Sequence, residues 1–201
     1  MIYAQFGKRA IDLVVASVVF ILVFPIFVLV AIILKCSIVG NPFFLQERPG
    51  KNGFTFNVIK FKTMTNKKDG NGILLPDHLR LTRIGIFLRA TSLDEIPQLL
   101  NVIVGNMSLI GPRPLLVEYL PHYTKEQARR HEVRPGITGW AQVNGRNLLD
   151  WKERFRLDVW YVDHISLLFD LEIVWITVVK VFKKEGVSST TYVTMEKFKG
   201  N

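Results

Sequence analysis

Two adjacent carboxylates, Asp94 and Glu95, stand in Thr91-Ser92-Leu93-Asp94-Glu95-Ile96-Pro97-Gln98-Leu99-Leu100-Asn101, the stretch of this chain best equipped for chemistry. Ile96, Leu99, Leu100 and Ile103 recur at helical spacing, which predicts an amphipathic helix with the acidic pair in its opening turn. Helix openings leave about four backbone N–H groups unpaired, and the dipole favours negative charge there. A carboxylate so placed is expected to stay ionised, ready to act as a nucleophile or a metal ligand. Arg83 and Arg89 precede the pair, and Arg113 follows in Gly111-Pro112-Arg113-Pro114. Forked guanidinium donors around an anionic pair suit phosphate chemistry. A second reading stands beside the first: Ser92-Leu93-Asp94-Glu95 also fits a capping box, in which Ser92 and Glu95 satisfy each other's backbone N–H groups. Pro97 strains that register, and Asp94 as the cap would suit it better.

The elements that must hold such a pair follow from size and hydropathy. At 201 residues the chain fits one domain with a sizeable core. Its net charge of +9 asks for an anionic partner: membrane lipid, nucleotide or nucleic acid. The one cysteine, Cys36, excludes an internal disulfide and a multi-cysteine zinc site. His78, His122, His131 and His164 lack ligand-like spacing, and neither a Walker A loop nor G-x-G-x-x-G occurs.

Ile11 to Leu34 is an apolar run interrupted only by Asp12, Ser17 and Pro25. A bilayer crossing needs about 20 residues, which this run exceeds. No small-residue cleavage site follows, so the run reads as a membrane segment and not a signal peptide. Basic residues flank both ends (Lys8 and Arg9; Lys35, Arg48 and Lys51), which gives contradictory votes for a single crossing. Pro25 removes the hydrogen bond to the Ile21 carbonyl and kinks or breaks the helix. A kinked crossing and a broken helix returning to its own leaflet both satisfy these facts; composition alone favours the crossing.

Asn41–Arg48 and Phe54–Thr63 read as strands around the turn-rich Pro49-Gly50-Lys51-Asn52-Gly53. Lys60 and Lys62 beside Phe61 make either a solvated hairpin face or an anion-binding one. Asn66–Pro76 reads as a loop, Arg80–Arg89 as a short basic helix, and Leu115–Leu120 and Thr124–His131 as further short helices. Arg134-Pro135-Gly136-Ile137-Thr138-Gly139-Trp140 and Asn144-Gly145-Arg146 are dense in turn formers, with Arg134 and Arg146 as candidates for phosphate or nucleotide contact. Two helical patterns fill Asp150–Lys184. Trp151, Phe155, Val159 and Val162 line the first; Leu168, Leu171, Trp175, Val178 and Phe182 line the second. The second lies in a membrane interface or packs on the domain's own core. The expected organisation is an α+β, mostly helical chain: a membrane helix over 1–36, a globular domain with a short β-hairpin over 37–187, and a polar, extended tail over 188–201.

Several stretches, taken in order, resemble the bacterial sugar transferase family. They are Lys8-Arg9 with Asp12, Gln46-Glu47-Arg48-Pro49-Gly50, Lys60-Phe61-Lys62-Thr63-Met64, Ser92-Leu93-Asp94-Glu95, Gly111-Pro112-Arg113-Pro114, Arg134-Pro135-Gly136-Ile137-Thr138-Gly139 and Gln142-Val143-Asn144-Gly145-Arg146. The likeness runs from about Phe6 to Gly186 and is nearest to the small members that open bacterial protein N-glycosylation. It implies transfer of a phospho-sugar from a UDP-sugar to polyprenyl phosphate with release of UMP, with N,N'-diacetylbacillosamine the favoured sugar and N-acetyl hexosamines next. It also implies Asp94 as nucleophile, Glu95 placing Mg²⁺, and Arg89, Arg113 and Arg146 stabilising phosphate charge. The membrane helix would re-enter one leaflet around Phe24-Pro25, with the domain on the cytoplasmic face of the inner membrane near anionic lipids. Phe24 stands where related enzymes often carry serine, and Lys62 where many carry arginine. Two other readings remain: direct displacement in a ternary complex with Asp94 and Glu95 only holding metal, and a non-enzymatic basic membrane adaptor. The positive charge lacks the continuous run and the aromatics lack the stacking pattern of a nucleic-acid binder.

Overall fold

The computed structural model describes residues 3–37, 41–145, 149–183, 197–198 and 200. Arg146 and most of the tail from Ser188 lie outside the described residues.

The apolar run folds as α1 (Lys8–Ser37), a 30-residue helix entered through a π-helical turn at Tyr3–Gly7. It is the one helix among the described residues long and apolar enough to cross a membrane. The expected break at Phe24-Pro25 is not seen: the backbone stays helical through Pro25. Losing one hydrogen bond there is offset by packing on either side, where Phe20, Phe24 and Phe27 form ring contacts. Lys8, Asp12, Ala16, Phe20, Val23, Phe27, Val30 and Leu34 recur every three or four residues, a single stripe facing the domain. The early half packs on Val58, Leu99, Val102 and Met107, and the late half on Phe61 and Leu88. Away from that stripe Ile21, Leu22, Leu29 and Ile32 are exposed.

Polar groups fasten the start of α1. Lys8 Nζ donates to Asp170 Oδ2 at 2.8 Å, and Tyr161 OH to Asp170 Oδ1 at 2.8 Å. Ser108 Oγ donates to Asp12 Oδ2 at 2.7 Å, and Arg9 donates to the carbonyls of Val102 and Ile103 at 2.6 and 2.8 Å. Lys8, Asp12 and Asp170 are all buried. Removing one partner of a buried ion pair strands the other charge. Lys8→Met is therefore expected to cost about 3 kcal/mol, read as a lower denaturant midpoint in detergent micelles.

The hairpin forms as expected, with β1 (Phe43–Pro49) antiparallel to β2 (Thr55–Phe61) and Gln46 opposite Val58. Its turn carries Asn52 and Gly53 at positive φ. A helical turn α2 (Asp77–Arg80) and helix α3 (Arg83–Ala90) follow, the latter capped by Thr82 Oγ1 accepting from Gly85 N. After a 3-10 turn at Leu93–Glu95 comes α4 (Gln98–Val104), then β3 (Ser108–Ile110). The helix expected at Leu115–Leu120 is a 3-10 turn at Val117–His122. The next segment is α5 (Lys125–Ala128), with a Thr124–Gln127 capping box, continued by a 3-10 turn through His131. Next come β4 (Gly136–Thr138), α6 (Trp140–Asn144), α7 (Trp151–Asp163) and α8 (Leu167–Phe182).

β3 and β4 pair in parallel, Ser108 with Gly136 and Ile110 with Thr138. This pairing was not legible in the sequence, and it ties two of the glycine-bearing motifs together. A Cβ on Gly136 would lie 2.1 Å from the Gly111 nitrogen, so only glycine admits the approach. Gly136→Ala is expected to cost about 3 kcal/mol through overpacking and to lower activity as well, because Arg113 rides on the displaced loop. Paired melting and turnover measurements check both.

On α7 the expected line holds, with Phe155 and Val159 buried. On α8 it does not face the core: Leu168 is 80% and Trp175 70% exposed, with Leu171 and Val178 also exposed. The covered face is Ile173 and Asp170, flanked by Phe169 and Ile176. A helix that turns its apolar line outward suits a membrane interface better than a packed core. The tail is not wholly free, since Phe198 is buried among Tyr119, Tyr123, Trp151 and Phe155.

Candidate active site

The acidic pair sits one step earlier than the sequence pattern suggests. Asp94 and Glu95 belong to the 3-10 turn, and α4 begins only at Gln98, after Pro97. The proline is thus at the helix entry, where its missing N–H costs nothing. The capping box does not form: Ser92 is left-handed at φ 57 and makes no capping bond. Such a conformation in a non-glycine residue is strained, and here it reverses the chain between α3 and the acidic turn.

Glu95 is held from two sides. Its Oε1 accepts from Lys60 Nζ of β2 and from Arg113 NH2 of the β3–α5 connection, each at 2.7 Å. Burial by itself would raise the Glu95 carboxyl, but the Arg113 guanidinium and then the Lys60 ammonium hold it well below the usual range. Asp94, by contrast, accepts no hydrogen bond among the described residues. Burial pushes its carboxyl above the ordinary value and neighbouring Glu95 adds to this, against the pull of Lys60, Arg89 and Arg113. The expectation that a helix opening would by itself keep Asp94 ionised is corrected: burial opposes ionisation, and the cations around it supply the counterweight.

The supporting bonds come from residues that the sequence did not single out. Asn101 of α4, nearly fully buried, accepts from Ile59 N at 3.0 Å and donates to the Asn57 carbonyl at 2.8 Å, fastening α4 to β2. That bond fixes Lys60 relative to Glu95. Thr63 Oγ1 accepts from Arg89 Nε at 3.0 Å. Beneath the Arg113 loop, Arg130 donates to Asp158 Oδ2 at 2.7 Å and to the Arg113 carbonyl at 2.7 Å, both side chains of the ion pair being buried. A side-chain amide inside a periodic helix, or a basic residue in a polar run, gives no local sign of such roles.

These groups open on a cleft of about 950 Å³ lined by Arg48, Lys60, Lys62, Arg80, Arg89, Asp94, Glu95 and Arg113. Lys60 and Lys62 thereby line the cleft beside the acidic pair and do not form a plain solvated hairpin face. Arg134 lies elsewhere, donating to the Gly105 carbonyl at 2.8 Å, and does not line the cleft; nor does Arg83. His131 is structural: its Nδ1 lies 3.2 Å from the Gly50 carbonyl oxygen, and burial with Arg130 beside it pushes it down to about 4.

No group of three or more His, Cys, Asp or Glu gathers among the described residues. A metal here would have to be shared between this acidic pair and a substrate. Two adjacent carboxylates fit Mg²⁺ on those terms, since that ion keeps several waters and is bound through one or two carboxylates plus phosphate oxygens. Glu95 Oε2 is not used by the two cations on Oε1.

Comparison with known proteins shows the family. The chain is 52% identical over 199 residues to the uncharacterized sugar transferase EpsL of Bacillus subtilis, covering 96% of each. It is 37% identical to the exopolysaccharide production protein ExoY of Rhizobium meliloti, over 90% of this chain and 87% of that one. It is 38% identical to the UDP-glucose:undecaprenyl-phosphate glucose-1-phosphate transferase of Escherichia coli, over 87% of this chain but 40% of that longer protein. The bacterial sugar transferase profile matches residues 3–184, so the chain belongs to the bacterial sugar transferase family.

Proposed function

We propose that this chain transfers a phospho-sugar from a UDP-sugar to polyprenyl phosphate through a covalent intermediate on Asp94. The observation that carries the reading is the division between two neighbouring carboxylates: Glu95 is locked by Lys60 and Arg113, while Asp94, at the same cleft, accepts no hydrogen bond among the described residues. A nucleophile must be free to approach phosphorus; a carboxylate that already bridges two cations serves to place them. Asp94 Oδ forms a bond to the β-phosphorus as the bond from that phosphorus to the bridging oxygen breaks, and UMP leaves with the oxygen. A phosphate oxygen of the polyprenyl acceptor then attacks the same phosphorus, and the Asp94 carboxylate is released. One hard displacement becomes two easier ones. Arg113, Arg89 and Lys60 balance phosphate charge, with Arg146 expected to join them. Mg²⁺, bound by Asp94, Glu95 and the diphosphate, would withdraw charge from the phosphoryl oxygens.

The membrane helix is read as held to one leaflet, entering and leaving by the same face even though its backbone stays helical through Pro25. A helix of this length measures about 45 Å along its path, yet both its halves press on the same domain, which a perpendicular crossing would not allow. With the outward apolar line of α8, it lays the domain flat on a bilayer, in the reading the cytoplasmic face of the inner membrane, where anionic lipids meet the net charge of +9. There a lipid-bound phosphate and a soluble nucleotide sugar reach one cleft.

The test is a single incubation with UDP-sugar labelled in the β-phosphate, without acceptor. Up to one equivalent of UMP per protein is expected, with label retained on the protein and discharged on adding polyprenyl phosphate. No UMP before acceptor, together with intersecting double-reciprocal lines, would favour direct displacement. A panel decides the sugar: the resemblance to N-glycosylation enzymes argues for UDP-N,N'-diacetylbacillosamine, while relatives are named for UDP-glucose and UDP-galactose.

A further inference from the structure

Two side-chain amides in the cleft have no use in the phosphoryl chemistry. The backbone from Leu93 through Pro97 to Val104 stays right-handed, so Asp94 and Gln98 stand one turn apart on one face. Gln98 lines the cleft and is only 2% exposed, yet its Nε2 has no acceptor among the described residues. Gln142 of α6 lines the same cleft. Its Nε2 donates to the Ile137 carbonyl at 2.8 Å, and its Oε1 is buried with no donor among the described residues. A buried N–H and a buried amide oxygen beside one cleft, each without a partner among the described residues, are costly, and each asks for one. Leu99, Ile137, Ala141 and Val143, which flank the two glutamines in sequence or lie on the strand before α6, add apolar surface to the same lining.

A flat heterocycle with one N–H beside a carbonyl would satisfy both amides and cover that apolar surface. We propose that Gln98 and Gln142 read the imide edge of uracil, N3–H donating to Gln142 Oε1 and a ring carbonyl accepting from Gln98 Nε2. This rests on the UDP-sugar reading and deepens it by assigning the base its contacts. Cytosine, whose N3 is an acceptor, would set a lone pair against the Gln142 oxygen. A site built to pair a polar edge rejects the analogue that cannot pair it.

The experiment measures UMP and CMP binding by calorimetry on the full chain in detergent micelles, for wild type, Gln98→Leu and Gln142→Met. Wild type is expected to prefer UMP, and each substitution to weaken UMP about 10-fold while drawing the UMP-to-CMP ratio towards one. Without nucleotide, Gln98→Leu should melt no lower than wild type, because it removes a donor that the fold leaves unpaired. A marked drop in its melting point would show that the amide is bonded in the fold and overturn the proposal. So would unchanged UMP affinity in both variants. A wild-type chain that binds neither nucleotide would fell the uridine reading itself; unaffected variants of a UMP-binding chain would fell only the glutamine pair.

Discussion

Asp94→Asn is expected to lower phospho-sugar transfer by roughly 10⁴-fold or more, the scale of losing a nucleophile that no neighbour replaces. The amide keeps the shape of the side chain and its place beside Glu95, so binding of UDP-sugar should survive while UMP release and protein labelling disappear together. Stability should move the other way. The Asp94 carboxyl is raised by burial and by Glu95. A raised folded-state value means that its contribution is present below the unfolded value and lost as pH rises through the folded one. At neutral pH the ionised group is therefore a burden on the fold, and the asparagine variant should melt higher than wild type. The same shift moves the acid limb of kcat/KM above the ordinary carboxylate value of about 3.9. Near-normal turnover by Asp94→Asn would contradict the nucleophile assignment, and an acid limb at or below that value would contradict the raised Asp94 carboxyl.

For Glu95→Gln the expected loss is about 10²–10³-fold in kcat, typical of removing one preorganised charge that stabilises a transferring group. Its two cations respond differently. Lys60 is pushed down by burial and by Arg113 and is supported chiefly by Glu95, so without the carboxylate it sheds its proton more readily. Arg113 keeps its charge but loses the partner that aims it. Single-turnover labelling of Asp94 should persist, only slower, which separates this variant from Asp94→Asn. The stability effect carries the opposite sign in pH. Glu95 is depressed in the folded state, so its contribution is present above the unfolded value of about 4.3 and is lost as pH falls through the folded value. The gap in melting temperature between wild type and Glu95→Gln should be widest near neutrality and close in acid.

Both variants act on a site whose members were visible in the sequence and whose geometry was not. The hairpin, the long apolar helix and α7 are local matters: alternation, length and three-to-four-residue spacing determine them, and the chain folds accordingly. Asp94, Glu95, Lys60, Arg89 and Arg113 could be picked out by residue type and motif, and the fold gathers all five on one cleft. Arg134 could not be told from them by type, and only its bond to the Gly105 carbonyl removes it.

Tertiary contacts decided the rest. Whether Ser92 caps a helix depended on the reversal between α3 and the acidic turn, which left it in a left-handed conformation and unable to cap. Whether the apolar line of α8 faces inward depended on the demand of Asp170 for Lys8 and Tyr161, which turns that line outward. The meeting of Gly111 with Gly136, and with it the aim of Arg113 at Glu95, joins segments some 25 residues apart. Hydrophobic period and turn chemistry report what a segment does with its neighbours in sequence. They carry no record of which distant segment supplies the other half of a hydrogen bond or ion pair, and in this protein those halves make the site.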